Sequence, residues 1–269
     1  MLHYRIYGNQ GPMVFVLHGG PAAAGSAAPI ARGLTGSFRV FEPWQRGSGN
    51  ERLTVARHVA DLHDLIQAHG QKSRYGLVGE SWGAMLALAY AAAHPDAVSA
   101  LALVGCGTFD RNARERMHRI LEERFDKKLR EQLNRLEREI TDASERLRMR
   151  YELMHPLYDY DPIESDLIDD LTDSIDMRAH KETWDDMLRL QAEGIYPAAF
   201  TSIDSPVLML HGVYDPHPGR LIYDSLKPYI QQLEYRELDR CGHHPWKERH
   251  AREEFFLILC KWLARNLNG

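Results

Sequence analysis

Short, unbroken apolar runs of strand length recur through residues 1–107. Met13–Leu17 reads MVFVL, Arg39–Phe41 reads RVF, Tyr75–Val78 reads YGLV and Ala100–Val104 reads ALALV. Runs that are continuous rather than alternating predict strands buried on both faces, the habit of a parallel sheet. Between them, Val55–His69 and Trp82–His94 are rich in Ala and Leu and are closed by Gly70 and Pro95, which predicts two helices. Strand and helix in alternation predict an α/β fold with a doubly wound, mostly parallel sheet and right-handed crossovers.

The texture then changes. From Thr108 to His155 there is neither Gly nor Pro, and charged residues dominate. Met117, Leu121, Phe125, Leu129, Leu133, Leu136 and Ile140 recur every three or four positions, which predicts one apolar stripe on a long helix. A lid packed on a core explains that stripe better than a coiled coil, because it lasts only about three heptads. Asp142-Ala143-Ser144-Glu145 has the form of a capping box and predicts the start of a second helix. Tyr151–Ala199 is more broken. Strand texture returns at Val207–Leu210 and Leu233–Leu238, and Arg252–Leu267 reads as a closing amphipathic helix. The predicted organisation is a core of residues 1–107 and 200–269, interrupted by a helical insertion over 108–199.

Composition and charge mainly exclude. A chain of 269 residues with 44% hydrophobic and 26% charged residues can bury a large core without disulfides or metals. A net charge of -5 leaves no electrostatic footprint for nucleic acid or an anionic membrane. No apolar run approaches the roughly 18 residues that cross a bilayer. The start, Met1-Leu2-His3-Tyr4-Arg5-Ile6, lacks the form of a signal peptide. Cys106, Cys241 and Cys260 show no paired spacing, and the histidines show no metal-binding spacing. The expectation is a cytoplasmic protein with no cofactor and no metal. Residues 151–199 hold 13 acidic and 3 basic residues, which reads either as a solvated surface or as an acidic rim that attracts a cationic substrate.

Gly79-Glu80-Ser81-Trp82-Gly83 lies where the strand ending at Val78 turns into the helix beginning at Trp82. A serine on so sharp a turn is held out above the sheet, in a strained conformation that flanking glycines permit. A serine nucleophile needs a base, and the base needs an orienting acid. Asp215 follows the strand Val207–Leu210, and His243 and His244 follow the strand Leu233–Leu238. All fall at the carboxyl edge of the predicted sheet, where open α/β sheets bind ligands. Asp110, beyond the strand Ala100–Val104, is an alternative acid. His18-Gly19-Gly20-Pro21 follows the strand Met13–Leu17, and there the amide of Gly20 can join that of Trp82 as an oxyanion donor. His18 itself precedes a glycine turn and is read as structural.

The chain resembles the α/β-hydrolases, and among them the proline iminopeptidase branch. The resemblance rests on His18-Gly19-Gly20-Pro21-Ala22, Trp44-Gln45-Arg46-Gly47-Ser48-Gly49 and Gly79-Glu80-Ser81-Trp82-Gly83, beside H-G-G-P-G, D-Q-R-G-S-G and G-G-S-W-G in that branch. Ala22, Trp44 and Glu80 depart from it. The resemblance implies the α/β-hydrolase fold with an inserted helical cap, a triad of Ser81, Asp215 and His243, and oxyanion donors at Gly20 and Trp82. It favours His243 over His244 as the base. It also implies cap carboxylates that receive a substrate amine; Glu80, Asp159, Asp161, Glu164 and Asp166 are the residues considered for substrate contact. Cys241 is read as a buried small residue. The expected function is a serine hydrolase acting on a small molecule or short peptide, leaning to a proline iminopeptidase-like aminopeptidase. A carboxylesterase is the alternative, and a non-catalytic ligand receptor on the same fold is the rival from another class.

Overall fold

The structure is a computed structural model that describes residues 2–69, 75–163 and 176–267. Seven strands form one sheet: β1 (Tyr4–Tyr7), β2 (Met13–Leu17), β3 (Arg39–Pro43), β4 (Tyr75–Glu80), β5 (Ala100–Val104), β6 (Val207–Gly212) and β7 (Leu233–Leu238). Their spatial order is β1-β3-β2-β4-β5-β6-β7, with β1 antiparallel to β3 and every other pairing parallel. The central strands β4, β5 and β6 are buried at every residue, which accounts for their unbroken apolar runs. β1 left no such signal. It is a four-residue edge strand whose Ile6 is exposed, and its Tyr7 hydroxyl donates to the buried Glu42 carboxylate at 2.9 Å.

Helices cover both faces. On one face, α2 (Val55–His69) and α3 (Trp82–Ala93) pack on Phe15, Leu77 and Leu103. On the other, α1 (Ala28–Leu34) and α9 (Arg252–Leu267) pack on Val14, Val16 and Ala102. α9 buries Phe255, Leu259, Trp262, Leu263 and Leu267, one stripe at helical spacing. α3 is buried almost all round, so it lies inside the domain and carries the sheet's central turn at its N-terminus.

Between β5 and β6 the chain forms α4 (Arg111–Arg124), α5 (Lys127–Glu139), α6 (Ala143–Met154) and α7 (Met177–Ala192); α8 (Gly219–Leu226) follows β6. The single long helix expected from the Met117–Ile140 stripe is therefore two helices. Phe125 leaves the helical region at ψ 96, and Asp126 restarts the chain as an N-cap, accepting from the Leu129 amide at 2.7 Å. The apolar residues fall on two separate helices: Met117 and Leu121 of α4 line the cavity, and Leu133 and Leu136 of α5 are buried. Asp142 accepts from the Glu145 amide at 2.7 Å, so a helix starts where the capping pattern placed it.

Three carboxylates of the acidic half of this insertion bind the core. Asp176 accepts from the amide and hydroxyl of Ser48, both at 2.7 Å, and Glu182 accepts from the Leu53 amide at 2.9 Å. Asp186 accepts from the Val55 amide at 2.8 Å, capping α2 from outside its own sequence. These three carboxylates form neither a fully solvated surface nor a pocket rim; they are the glue between α7 and the loop before α2.

A second tie joins residues 158–163 to the loop after β7. The Glu248 carboxylate, fully buried, accepts from the amides of Tyr160, Asp161 and Gly242, each at 2.7 Å. The His243 amide donates to the Tyr158 carbonyl at 2.8 Å, and the Ile163 amide to the Lys247 carbonyl at 2.7 Å.

Two stability measurements check these readings. Asp126→Ala should cost about 1 kcal/mol in urea unfolding, as the loss of an N-cap does. In an uninterrupted helix the same change would instead stabilise by a few tenths of a kcal/mol. Glu248→Gln turns one acceptor oxygen into a donor facing a buried amide and should cost about 2 kcal/mol, with Glu248→Ala costing more. Unchanged midpoints would assign the anchoring of 158–163 to other contacts.

Candidate active site

Ser81 sits between β4 and α3 with φ 52 and ψ -116, a conformation outside the usual regions for an L-residue. Two close approaches force the turn. A Cβ on Gly83 would lie 2.2 Å from the Leu17 carbonyl oxygen, and one on Gly79 would lie 2.2 Å from that of Gly83. Both positions therefore demand glycine. The Ser81 amide donates to the Val104 carbonyl at 2.8 Å, and its hydroxyl does not cap α3. The side chain is left to face the cavity.

The loop after β2 is braced from below. Glu80, buried, accepts from the Gly19 amide at 2.7 Å and from the Ser26 hydroxyl at 2.8 Å, both through Oε1. His18 bonds the Gly19 carbonyl through Nδ1 at 2.9 Å and accepts from the Gln45 amide through Nε2 at 3.0 Å, which fixes its tautomer. Burial pushes its pKa down to about 4, so the ring is neutral at pH 7. Gln45 closes the network, donating to the His18 carbonyl at 2.8 Å and accepting from the Trp82 indole at 2.7 Å. Gly20 holds φ 98, and Ala22 holds φ 76. Ala22 thus keeps the left-handed conformation that the final glycine of the resembled motif would adopt freely, at a cost of about 1 kcal/mol.

Across the cavity, His243 Nδ1 lies 2.8 Å from Asp215 Oδ2. The ring rests on Gly105, where a Cβ would come within 2.9 Å of Nδ1. Burial would lower the His243 pKa, but the Asp215 carboxylate overrides it and raises the value above the ordinary 6.5. Burial likewise opposes the Asp215 charge, yet His243 and His217 hold that carboxyl well below its usual range. His217 was not foreseen from the sequence. Its amide donates to Asp215 Oδ1 at 2.9 Å, its Nδ1 lies 3.1 Å from the same oxygen, and its ring stacks on His243 at 4.5 Å. The Asp-Pro-His order after β6 was the available signal. Asp110 caps α4 through the Ala113 amide at 2.9 Å.

Ser81, Gly20, Trp82, Glu80 and His243 line one cavity of about 460 Å³. The insertion supplies its far wall, with Met117, His118 and Leu121 from α4, Arg150 and Met154 from α6, and His180 and Trp184 from α7. Six imidazoles line it: His118, His155, His180, His217, His243 and His244. Of the described acids considered for substrate contact, Glu80 is the one in the wall. Asp159 is buried behind it, between His155 Nδ1 and His244 Nδ1, each 2.8 Å away. Asp161 faces outward against Arg249 and His250, both at 3.3 Å. Glu164 and Asp166 lie outside the described residues. Cys241 is buried, with Sγ 3.4 Å from the Gly242 carbonyl oxygen.

Among the described residues, two groups bring imidazole nitrogens and a carboxylate within 4.8 Å: His155, Asp159 and His244, and Asp215, His217 and His243. Each adds a histidine of the loop after β7 to a pair close in sequence, His155 with Asp159 or Asp215 with His217. Their Nδ1 atoms already pair with the carboxylate, so a cation would have to displace those contacts.

The sequence profile described as the alpha/beta hydrolase fold matches residues 12–248. The proline iminopeptidase of Neisseria meningitidis serogroup A is 37% identical over 103 residues, which cover 35% of this chain and 32% of that protein. The match therefore spans about a third of that relative's length. Among solved structures, a thermophilic esterase from Thermogutta terrifontis superposes with a TM-score of 0.66 at 20% identity, covering 99% of this chain and 94% of that one. The proline iminopeptidase of Mycobacterium smegmatis superposes with a TM-score of 0.65 at 18% identity, covering 98% and 94%. At such identities these structures share the fold. With its mostly parallel sheet, its strained serine turn and a family match over most of its length, the chain belongs to the α/β hydrolase fold family.

Proposed function

We propose that this protein is a serine hydrolase whose triad is Ser81, Asp215 and His243. One observation carries the reading: an imidazole paired with a buried carboxylate at 2.8 Å shares a cavity with a serine held at positive φ. His243 takes the Ser81 proton as Oγ attacks a carbonyl carbon, and Asp215 holds the imidazole and stabilises its charged form. The amides of Gly20 and Trp82 receive the developing oxyanion. The leaving group departs with the proton from His243, and water, activated by the same base, releases the acyl group. Helices α4–α7 act as the cap that excludes bulk water and shapes the substrate pockets.

Within that class, the preferred reading is an aminopeptidase of the proline iminopeptidase kind, acting on short peptides. The curated relatives matched in sequence support it, as does Glu80, a carboxylate in the cavity wall beside the nucleophile. Carboxylesterase activity on neutral acyl esters is the second reading. It draws support from the apolar share of the wall, Met85, Met117, Leu121, Met154 and Trp184, and from the binding of Asp176, Glu182 and Asp186 to core amides.

Turnover of prolyl and alanyl anilides against short-chain p-nitrophenyl esters separates the two. Anilide cleavage that is lost when the amine is acylated marks the aminopeptidase; ester cleavage alone marks the esterase. Ser81→Ala should abolish either activity and labelling by a fluorophosphonate. An active Ser81→Ala protein, or a wild type that neither labels nor turns over, would sink the hydrolase reading. The pH profile gives an independent check. The base works only when neutral, so kcat/KM should fall as pH drops through the raised pKa of His243, with its midpoint above 6.5. Asp215→Asn should shift that limb to lower pH and reduce turnover by about 10⁴.

A further inference from the structure

Beside the His243–Asp215 pair stands a second imidazole–carboxylate pair with a different construction. His244 Nδ1 lies 2.8 Å from Asp159 Oδ1. The other oxygen of Asp159 faces His155 Nδ1 at 2.8 Å, and the His155 ring stacks flat on that of His244, with centroids 5.1 Å apart and planes at 9°. Lys247 Nζ approaches His155 Nε2 at 3.5 Å. Trp246 closes edge-on at 5.3 Å and His243 at 4.8 Å, so the plane and position of the His244 ring are fixed. Asp159 accepts only, which puts the ring proton on Nδ1 and leaves Nε2 bare.

Among the described residues, Nε2 has no protein donor. His244 is only 6% exposed, yet it lines the cavity, and its Nε2 is not among the buried atoms sealed off without a partner. His211 shows the contrast: both of its ring nitrogens are sealed, and it lies outside the cavity wall. Burial is the chief reason the His244 pKa falls to about 3; Asp159 opposes that fall while Lys247 and His243 add to it. The ring therefore stays neutral, and its free nitrogen stays an acceptor, across the working range of the enzyme.

We propose that His244, locked by Asp159, is a specificity subsite whose Nε2 accepts a hydrogen bond from an amino or hydroxyl group on the α-carbon of the substrate's acyl part. The inference rests on the hydrolase reading of Ser81. It deepens that reading because the His243 and His244 rings are 4.8 Å apart, so a group bonded to His244 lies close to the carbonyl that His243 serves. A site built to bond a donor rejects an isostere that lacks one, since the acceptor is then left unpaired.

The test uses p-nitrophenyl esters of three isosteric acyl groups: alanyl, lactyl and isobutyryl. Wild type should favour alanyl and lactyl over isobutyryl by about tenfold or more in kcat/KM. His244→Phe should bring those ratios near unity, and His244→Gln, which restores an acceptor, should recover part of the preference. In Asp159→Asn the side-chain amide can donate to Nδ1, moving the proton to Nε2; an ammonium then loses its acceptor, so the alanyl preference should fall, while a lactyl hydroxyl can turn to accept and keep part of its preference. Histidine ¹⁵N NMR of the wild type should show a proton on Nδ1 and a bare Nε2 at His244, a readout that needs no turnover. Ratios unchanged in His244→Phe, or a proton found on Nε2 in the wild type, would overturn the proposal. Preference for alanyl alone would identify the ligand as an amine, whereas equal preference would extend the subsite to hydroxyacyl substrates. Absence of turnover on all three esters together with no fluorophosphonate labelling would be a failure of the hydrolase reading. The subsite is then judged by the His244 Nε2 signal on titration with lactamide and isobutyramide: a response to lactamide alone supports it, and equal responses refute it.

Discussion

A serine at φ 52 is the constraint around which the molecule is arranged. Such a residue costs about 1–2 kcal/mol relative to a relaxed one. What holds it there is the burial of α3, whose Met85, Leu86, Leu88 and Tyr90 are all removed from solvent. Each such side chain contributes about 1.5–3 kcal/mol, so packing exceeds the strain several times over. The approach is close enough that Gly79 and Gly83 have no room for a methyl group. Helix, strand and turn are therefore one unit, and the Ser81 hydroxyl is pushed toward the cavity because the backbone has no other place to put it.

The helical insertion is tied to the same unit at both ends. Asp186 caps α2, and Glu248 holds the amides of Tyr160 and Asp161 together with that of Gly242. The His243 amide donates to the Tyr158 carbonyl, so His243 is held by the insertion as well as by the core. Arg124 of α4 adds a further link, donating to the carbonyls of Leu157 and Tyr214, next to Asp215. Displacement of these helices would carry Tyr158 away from the His243 backbone and loosen the imidazole. Cavity shape and the position of the His243 ring are in this way coupled through hydrogen bonds.

Much of this was legible in the chain. Continuous apolar runs marked β2, β4, β5 and β6 because strands covered on both faces need no polar alternation. The glycine-flanked Ser81 stood out because its close approaches tolerate no other residue at 79 and 83. Elements whose stability comes from a distant partner were harder to read. β1 pairs only at the sheet edge, and the α4–α5 break falls within an unbroken apolar period, marked by a capping aspartate that the period does not reveal. The acids of 151–199 were read by their number, whereas their role depends on which backbone amides they meet. The fold brings His243 to the Asp215–His217 pair and His244 to the His155–Asp159 pair, two meetings that no local spacing announces. Glu80 replaces a glycine of the resembled motif, and only the structure gives it the Gly19 amide to hold.

The adjacent pair His243 and His244 shows how environment divides like residues. Each places Nδ1 2.8 Å from a buried carboxylate, so pairing distance alone predicts equal basicity. Their surroundings differ. Glu80 and Asp159 add to the field of Asp215 at His243, and the sum outweighs burial, so its pKa rises. At His244, Lys247 and His243 oppose Asp159, and burial prevails, so its pKa falls. Two imidazoles side by side are thereby set apart. One gains affinity for a proton, as the base of the proposed mechanism requires, and the other keeps an uncharged lone pair, as the acceptor of the proposed subsite requires. Either ring alone would have to compromise between these demands; a carboxylate behind each, and one lysine placed on the side of His244, removes the conflict.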